Sequence, residues 1–93
     1  MDLLTTKLSK YFDLTEKALK KAKLNHGLDS KDKKSAEDLI DLAKRYFDDA
    51  KYFEKKGDLV NAYGAVVYSH AFLDVAARLG FFDVDDNQLF MVD

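Results

Sequence analysis

The feature that most constrains the fold is the dipeptide Gly57-Asp58, which interrupts an otherwise helix-forming sequence of 93 residues. Gly57 follows two lysines and can adopt the left-handed conformation that ends many helices. Asp58 can begin the next helix at once, because its carboxylate can accept a hydrogen bond from the backbone N–H of Val60 or Asn61. A stop and a start this close together force the two helices to run antiparallel.

Apolar and small residues recur at three- and four-residue steps through three segments of the chain, which is the period of an α-helix. The predicted helices span about residues 2–24, 31–56 and 59–79, and the chain contains no proline. The residues from Asn25 to Ser30 predict a loop, because they combine turn formers with helix caps. The sequence therefore predicts an all-α fold, an antiparallel up-down-up three-helix bundle that forms a single domain over residues 1–93.

The third predicted helix has no charged side chain between Asp58 and Asp74, although a surface helix normally buries only one stripe. The tail over residues 81–93 is also too apolar for a free end, so we expect it to pack on helix 3. Alternatively, a second copy of the chain covers these apolar residues, which predicts a homodimer through helix 3 and the tail. The residues that need this cover are Tyr63, Ala65, Val67, Tyr68, Ala71 and Phe72.

Composition and charge exclude several classes of function. The absence of cysteine excludes disulfide scaffolds, thiol catalysis and cysteine-ligated zinc. The chain lacks a long apolar run and an apolar signal core, which predicts a cytoplasmic protein that does not enter a membrane. Residues 17–34 hold seven lysines against two aspartates, but no arginine or aromatic residue is interleaved with them. That stretch is typical of a solvated surface, and nucleic acid is not a favoured partner.

His70 and Asp74 stand four residues apart and therefore share one face of the third helix. Such a pair can orient an imidazole for acid-base chemistry or supply two metal ligands. A catalytic zinc site usually needs three protein ligands, however, and the other histidine, His26, lies in the predicted loop. We therefore predict no catalytic residue, no metal ligand and no cofactor, and favour a partly buried, hydrogen-bonded histidine. A metal or small-ligand site at this pair remains an alternative.

The turn also predicts a register between the second and third helices. Residue i should lie opposite residue 115 − i, within about one helical turn. This places His70 beside Arg45 or Tyr46. It also places Arg78 beside Glu37 or Asp38, where an exposed ion pair would stabilise the fold by no more than about 1 kcal/mol.

The segment from Tyr46 to Ala62, continued by Tyr68 to Asp74 and by Arg78-Leu79-Gly80, resembles domain of unknown function family 357. The resemblance rests on a tyrosine-rich Asp-Ala segment, a Phe-x-x-Lys-Gly-Asp turn, Asn-Ala, a histidine segment with Leu-Asp, and the Arg-Leu-Gly end. Ser69 and Ala71 stand where the family commonly has alanine and glycine. The match covers roughly residues 35–82. It implies a three-helix bundle in an archaeal cytoplasm and supplies no established activity.

Taken as a family signature, Asn61, His70, Asp74 and Arg78 form a polar stripe on helix 3 and a candidate ligand or partner site. The surplus apolar surface favours a non-enzymatic interaction or oligomerisation module that binds a protein partner. The rival is a nucleic-acid-associated bundle similar to the HEPN domains that cleave RNA. Those domains carry an arginine four to six residues before a histidine, and no arginine stands there before His70.

Overall fold

The computed structural model describes residues 2–83 and Phe90. Over these residues the chain forms three α-helices, α1 (Leu3–Lys21), α2 (Ser30–Lys55) and α3 (Leu59–Arg78). The prediction of an all-α three-helix bundle is confirmed, with each helix boundary within three residues of its predicted place. Within the described residues, no helix combines the length and the apolar character needed to cross a membrane.

Each helix begins at an aspartate that satisfies an otherwise unpaired backbone N–H group. At the first helix, the hydrogen bond from the backbone N–H of Thr5 lowers the pKa of the Asp2 carboxyl below its ordinary value, because it stabilises the charged form. In each cap the carboxylate accepts from the N–H three residues ahead: Asp2 from Thr5 at 2.7 Å, Asp29 from Asp32 at 2.8 Å and Asp58 from Asn61 at 3.2 Å.

Gly57 confirms the predicted reversal between α2 and α3. Its φ angle is 77°, in the left-handed region that favours glycine. The N–H of Gly57 donates to the carbonyl of Glu54 at 3.0 Å, and the N–H of Asp58 donates to that of Phe53 at 2.9 Å. This pair of bonds satisfies carbonyls that the helix end leaves without partners. Gly80, with a φ of 78°, ends α3 in the same way.

α1 ends three residues earlier than predicted because the chain after it pairs with the start of the tail. An isolated antiparallel bridge joins Leu24 and Phe82. Two backbone hydrogen bonds of 2.9 Å flank this bridge, between Asn25 and Phe81 and between Asp83 and Lys23. Residues 23–25 therefore give their backbone groups to the other end of the chain rather than to another helical turn.

α3 is the central helix of the bundle. It packs against both α1 and α2, whereas α1 and α2 make few direct contacts with each other. The residues that α3 buries lie on one side of the helix, and most of them are small or aliphatic. The buried set is Ala62, Ala65, Val66, Ser69, His70, Leu73, Ala76 and Ala77. This double packing explains why the buried side of α3 carries no aspartate, glutamate, lysine or arginine.

The beginning of the tail returns to the core. Phe81, Phe82 and Phe90 are buried in one cluster with Leu73 and Ala77 of α3. The rings of Phe82 and Phe90 meet edge to face, with centroids 5.8 Å apart. The predicted packing of the tail on α3 is confirmed for these described residues, while residues 84–89 and 91–93 lie outside the described part of the chain.

The tail does not cover all of the apolar surface that was assigned to it. Tyr68 exposes 62% of its surface and Ala71 is also exposed, so of the two expected covers the described tail residues do not supply one here. The tail reaches the buried side of α3, where Leu73 lies, and these two residues lie on the opposite side. Within residues 2–83 and Phe90, one side of α3 therefore has no element packed over it.

Candidate functional site

The uncovered side of α3 is apolar along nearly its whole length. Val60, Tyr68, Val75 and Leu79 expose 71%, 62%, 49% and 58% of their surfaces. Their spacings of eight, seven and four residues are each close to a whole number of helical turns, which places them on one side of the helix. We call this surface the open face of α3 and define it as Val60, Gly64, Val67, Tyr68, Ala71, Val75 and Leu79.

Two clefts lie along the open face, one at its middle and one at its C-terminal end. Tyr63, Gly64, Val67 and Tyr68 line the first, which has a volume of about 370 Å³. Gly64 leaves that cleft open, because a Cβ placed on it would meet no atom within 4 Å. Asp74, Val75, Arg78 and Leu79 line the second cleft, of about 200 Å³.

Aromatic contacts hold the two flanks of the open face in place. On the flank beside α2, the Tyr46 ring lies between Tyr68 and Phe72, at centroid distances of 5.7 and 5.5 Å. On the flank beside α1, Tyr11 meets Tyr63 edge to face at 5.7 Å. Such aromatic pairs contribute about 0.5–1.5 kcal/mol each beyond the area they bury. The face is therefore supported on both sides by neighbouring helices.

His70 lies on the other side of α3 and faces α1. Its Nδ1 is 3.0 Å from Oγ1 of Thr15, and its Nε2 is 3.6 Å from Oδ1 of Asp74. The prediction that His70 lies beside Arg45 or Tyr46 is therefore wrong. The residue before it, Ser69, is rotated by about 100° around the helix and faces α2. Ser69 donates a hydrogen bond of 2.6 Å to the carbonyl of Ala43.

The Thr15, His70 and Asp74 arrangement acts as a tie between helices. The carboxylate at Nε2 favours the tautomer protonated there, which leaves Nδ1 to accept the hydrogen of the Thr15 hydroxyl. The order hydroxyl, imidazole, carboxylate is the order of a nucleophilic triad. A nucleophile must reach its substrate, however, and Thr15 is fully buried while His70 is 9% exposed. The geometry therefore serves the packing of α1 on α3.

Asn61 lies at the opposite end of α3 from His70 and Asp74, whereas Arg78 lines the same cleft as Asp74. The Asn61 amide donates to the carboxylate of Asp58 at 2.7 Å, at the first turn of α3. Arg78 is exposed at the last turn, and among the described residues it makes no ion pair, including the one predicted with Glu37 or Asp38. Asp74 therefore neighbours both His70 and Arg78, whereas Asn61 is separated from these three residues.

Neither a metal site nor a basic patch gains support from the described residues. Within residues 2–83 and Phe90, no group of three or more histidine, aspartate or glutamate side chains is placed to hold a metal ion. The lysine-rich stretch is partly neutralised by its own helix. Lys17 pairs with Asp13 at 3.0 Å, and Lys20 pairs with Glu16 at 3.3 Å.

The sequence interpretation found part of the open face and missed its ends. It flagged Tyr68 and Ala71 as needing a cover, and both are exposed. It did not flag Val60, Val75 or Leu79. The signal was present, because these five residues continue one another at steps of three, four or eight along the helix, which is the period of a single face.

Comparisons with known proteins complete the description of the chain. No curated protein and no solved structure matches it. The model of one family, described as protein of unknown function (DUF357), matches residues 10–82. That match includes most of α1 as well as α2 and α3, and so extends further than the resemblance over residues 35–82. The chain therefore belongs to the family of proteins of unknown function DUF357.

Proposed function

We propose that this protein is a non-enzymatic interaction module, which binds an apolar helix of a protein partner along the open face of α3. The observation that carries the proposal is the exposure of Val60, Tyr68, Val75 and Leu79 on one side of α3, a helix with no charged side chain between Asp58 and Asp74. Contiguous apolar surface rimmed by polar residues marks interaction sites on soluble proteins. Docking of a helix is a common way to cover such a strip.

The shape of the face supports a helix as the partner. Gly64 and Ala71 lie along its centre, and small residues let two helix backbones approach closely. The larger side chains, Tyr68 and Leu79, stand beside them and can pack along the flanks of an incoming helix. Covering an exposed Val or Leu side chain contributes on the order of 1 kcal/mol. Several of these contributions are needed to offset the free energy lost on association.

The proposed setting follows from the resemblance stated above. We place the module in the cytoplasm of an archaeal cell, where it acts by holding a partner rather than by chemistry. The buried Thr15 and His70 support this assignment, because the one hydroxyl–imidazole contact in the described residues is closed to a substrate.

Photo-crosslinking at two matched tyrosines tests the proposal. Tyr68 on the open face exposes 62% of its surface, and Tyr52 on α2 exposes 58%. Each is replaced separately by the photoreactive residue benzoylphenylalanine, which is similar in shape to tyrosine. We expect illumination in cells to give a defined covalent adduct from position 68 and none from position 52, with the partner identified by mass spectrometry.

The matched position makes the result decisive. Equal adduct yields at positions 68 and 52 would indicate random collision and would contradict the proposal. The absence of any adduct at position 68 would contradict it as well. An identified adduct at position 68 alone supports it, whether the partner is this chain or another protein.

A further inference from the structure

We infer that the partner helix is α3 of a second copy of this chain, docked antiparallel with a two-fold axis passing between Val67 and Tyr68. This inference rests on the proposed use of the open face and names its occupant. Four observations carry it: the symmetry of the face, the two clefts, the small residues at its centre, and the charge at its end.

The residues of the open face pair with one another under such an axis. An antiparallel pair centred between residues 67 and 68 places residue i opposite residue 135 − i, with a rise of about 1.5 Å per residue. Two of the three opposing pairs then match in size, and the third sets a valine against a tyrosine. The opposing pairs are Val60 with Val75, Gly64 with Ala71, and Val67 with Tyr68.

The position of the axis follows from the helix itself. α3 spans Leu59–Arg78, so its midpoint lies close to Val67 and Tyr68, and an axis there gives two copies their greatest overlap. At about 100° of rotation per residue, the direction midway between Val67 and Tyr68 coincides with the direction midway between Gly64 and Ala71, which is the centre of the open face. An isologous contact requires the axis to pass through the surface that is buried, and this axis does.

The clefts supply holes for side chains from the second copy. Val60 of the partner subunit lies opposite Val75, and therefore over the cleft that Val75 and Leu79 line. Ala71 of the partner subunit lies opposite Gly64, over the cleft at the middle of the face. Insertion of a side chain into a hole between helical residues is how antiparallel helices pack closely.

The charge at the end of α3 favours the antiparallel arrangement. In this register Arg78 lies just beyond the start of the partner's α3, near the turn that carries the carboxylate of Asp58 of the partner subunit and the ammonium group of Lys56 of the partner subunit. Asp58 is half-buried, and Arg78 is exposed without an ion pair among the described residues. A parallel arrangement would instead place the two Arg78 side chains side by side, and like charges in contact are unfavourable. The uncharged stretch between Asp58 and Asp74 brings no other charge to the axis.

Light scattering on the purified chain, over a dilution series, tests whether the face self-associates. We compare the unchanged chain with Ala71→Glu, which puts two charges near the axis, and with Leu42→Glu, which alters an exposed leucine on α2. Ala71 is exposed in the single chain, so the variant keeps its fold, as circular dichroism checks. We expect Ala71→Glu to weaken the dimer by about 30-fold or more, as at an interface hot spot, and Leu42→Glu to leave it unchanged.

Single cysteines test the direction and register, since the sequence contains no cysteine. Val60→Cys and Val75→Cys proteins are oxidised separately and as a mixture. The antiparallel register brings position 60 of one copy to position 75 of the other, whereas two copies of position 60 lie about 22 Å apart along the axis. We expect a covalent dimer from the mixture and little from either protein alone.

The outcomes separate this inference from the proposed function. Fast disulfide formation by Val60→Cys alone would show a parallel pair and would overturn the antiparallel inference. A chain that stays monomeric at every concentration, with an adduct at position 68 to a different protein, would overturn the second copy as partner and leave the interaction module in place. A monomer with no adduct at position 68 would overturn both.

Discussion

α2 presents charged side chains to solvent and pairs several of them with each other, whereas α3 presents no charge on its open face between Asp58 and Asp74. On α2, Arg45 and Asp41 approach to 2.9 Å, and Lys51 and Asp48 to 3.8 Å. Both helices are capped by an aspartate and ended by a left-handed glycine. The two helices therefore differ in their surfaces and not in the means by which they begin and end.

The difference shows what each helix must satisfy. α2 has one packed side, so a charged outer surface keeps the rest of it compatible with water. α3 packs against two helices and the tail, which accounts for its apolar residues on those sides. Packing among residues 2–83 and Phe90 does not account for the apolar residues on the third side. These residues form the open face of α3, which is the proposed partner site.

The largest effect should come from the buried side of α3. Leu73 is fully buried, and we expect Leu73→Ala to lower the free energy of unfolding by about 2–5 kcal/mol, through lost contacts and a cavity. Leu42→Ala on α2, where 37% of the surface is already exposed, should lower it by no more than about 1 kcal/mol. Urea unfolding followed by circular dichroism measures both. Equal losses would break the contrast between the two helices.

The tie between α1 and α3 should give the next largest effect. Thr15→Val keeps the shape of the side chain but leaves Nδ1 of His70 buried without a donor, at an expected cost of about 1–3 kcal/mol. Thr6→Val on α1 serves as the control: it removes an exposed hydrogen bond of 3.2 Å to the carbonyl of Asp2, which water can replace, and should cost much less. Equal losses in the free energy of unfolding would show that the Thr15–His70 contact does not stabilise the packing of α1 on α3. The polar stripe would then be the better candidate for a ligand site.

The helix caps should give smaller and equal effects. Asp58→Ala and Asp29→Ala each remove a carboxylate that accepts from a backbone N–H, and each should lower the free energy of unfolding by about 1 kcal/mol. Equal values in urea unfolding would confirm that α2 and α3 differ only in their faces. A much larger loss for Asp58→Ala would show that the turn at Gly57 depends on its cap.

The smallest effect should come from Gly64 and should have opposite signs in folding and in association. An added methyl group there meets no atom within 4 Å, so Gly64→Ala should stabilise the single chain by about 0.5–1 kcal/mol through its higher helix propensity. The same methyl lies where the two copies approach most closely, so it should weaken the dimer. Unfolding at a concentration where the chain is monomeric, together with light scattering, measures the two effects separately.

The sequence predicted the helices well because local signals determine them. The reversal at Gly57-Asp58 depends on a left-handed glycine and a capping carboxylate, and both were recognisable without coordinates. The bridge between Leu24 and Phe82 was not predicted, and α1 therefore ends early. That pairing joins residues almost sixty positions apart, and no local pattern reports it.

The candidate site was harder to predict than the fold, for a reason that His70 illustrates. Helical periodicity correctly placed His70 and Asp74 on one face, and their atoms lie 3.6 Å apart. Which neighbouring helix that face meets depends on the rotation of α3 in the bundle, and the sequence interpretation chose α2 instead of α1. A rotation of about one residue exchanges the partners of adjacent side chains.

The amino-acid sequence by itself determined the three helices, their ends and the apolar character of α3, because propensity, caps and periodicity act over a few residues. Only the tertiary structure decided that α1 and α2 flank α3, that the described phenylalanines of the tail join its buried side, and that Val60, Tyr68 and Leu79 remain in solvent. Exposure is a property of all the packed elements together, so it is fixed only once every helix has taken its place.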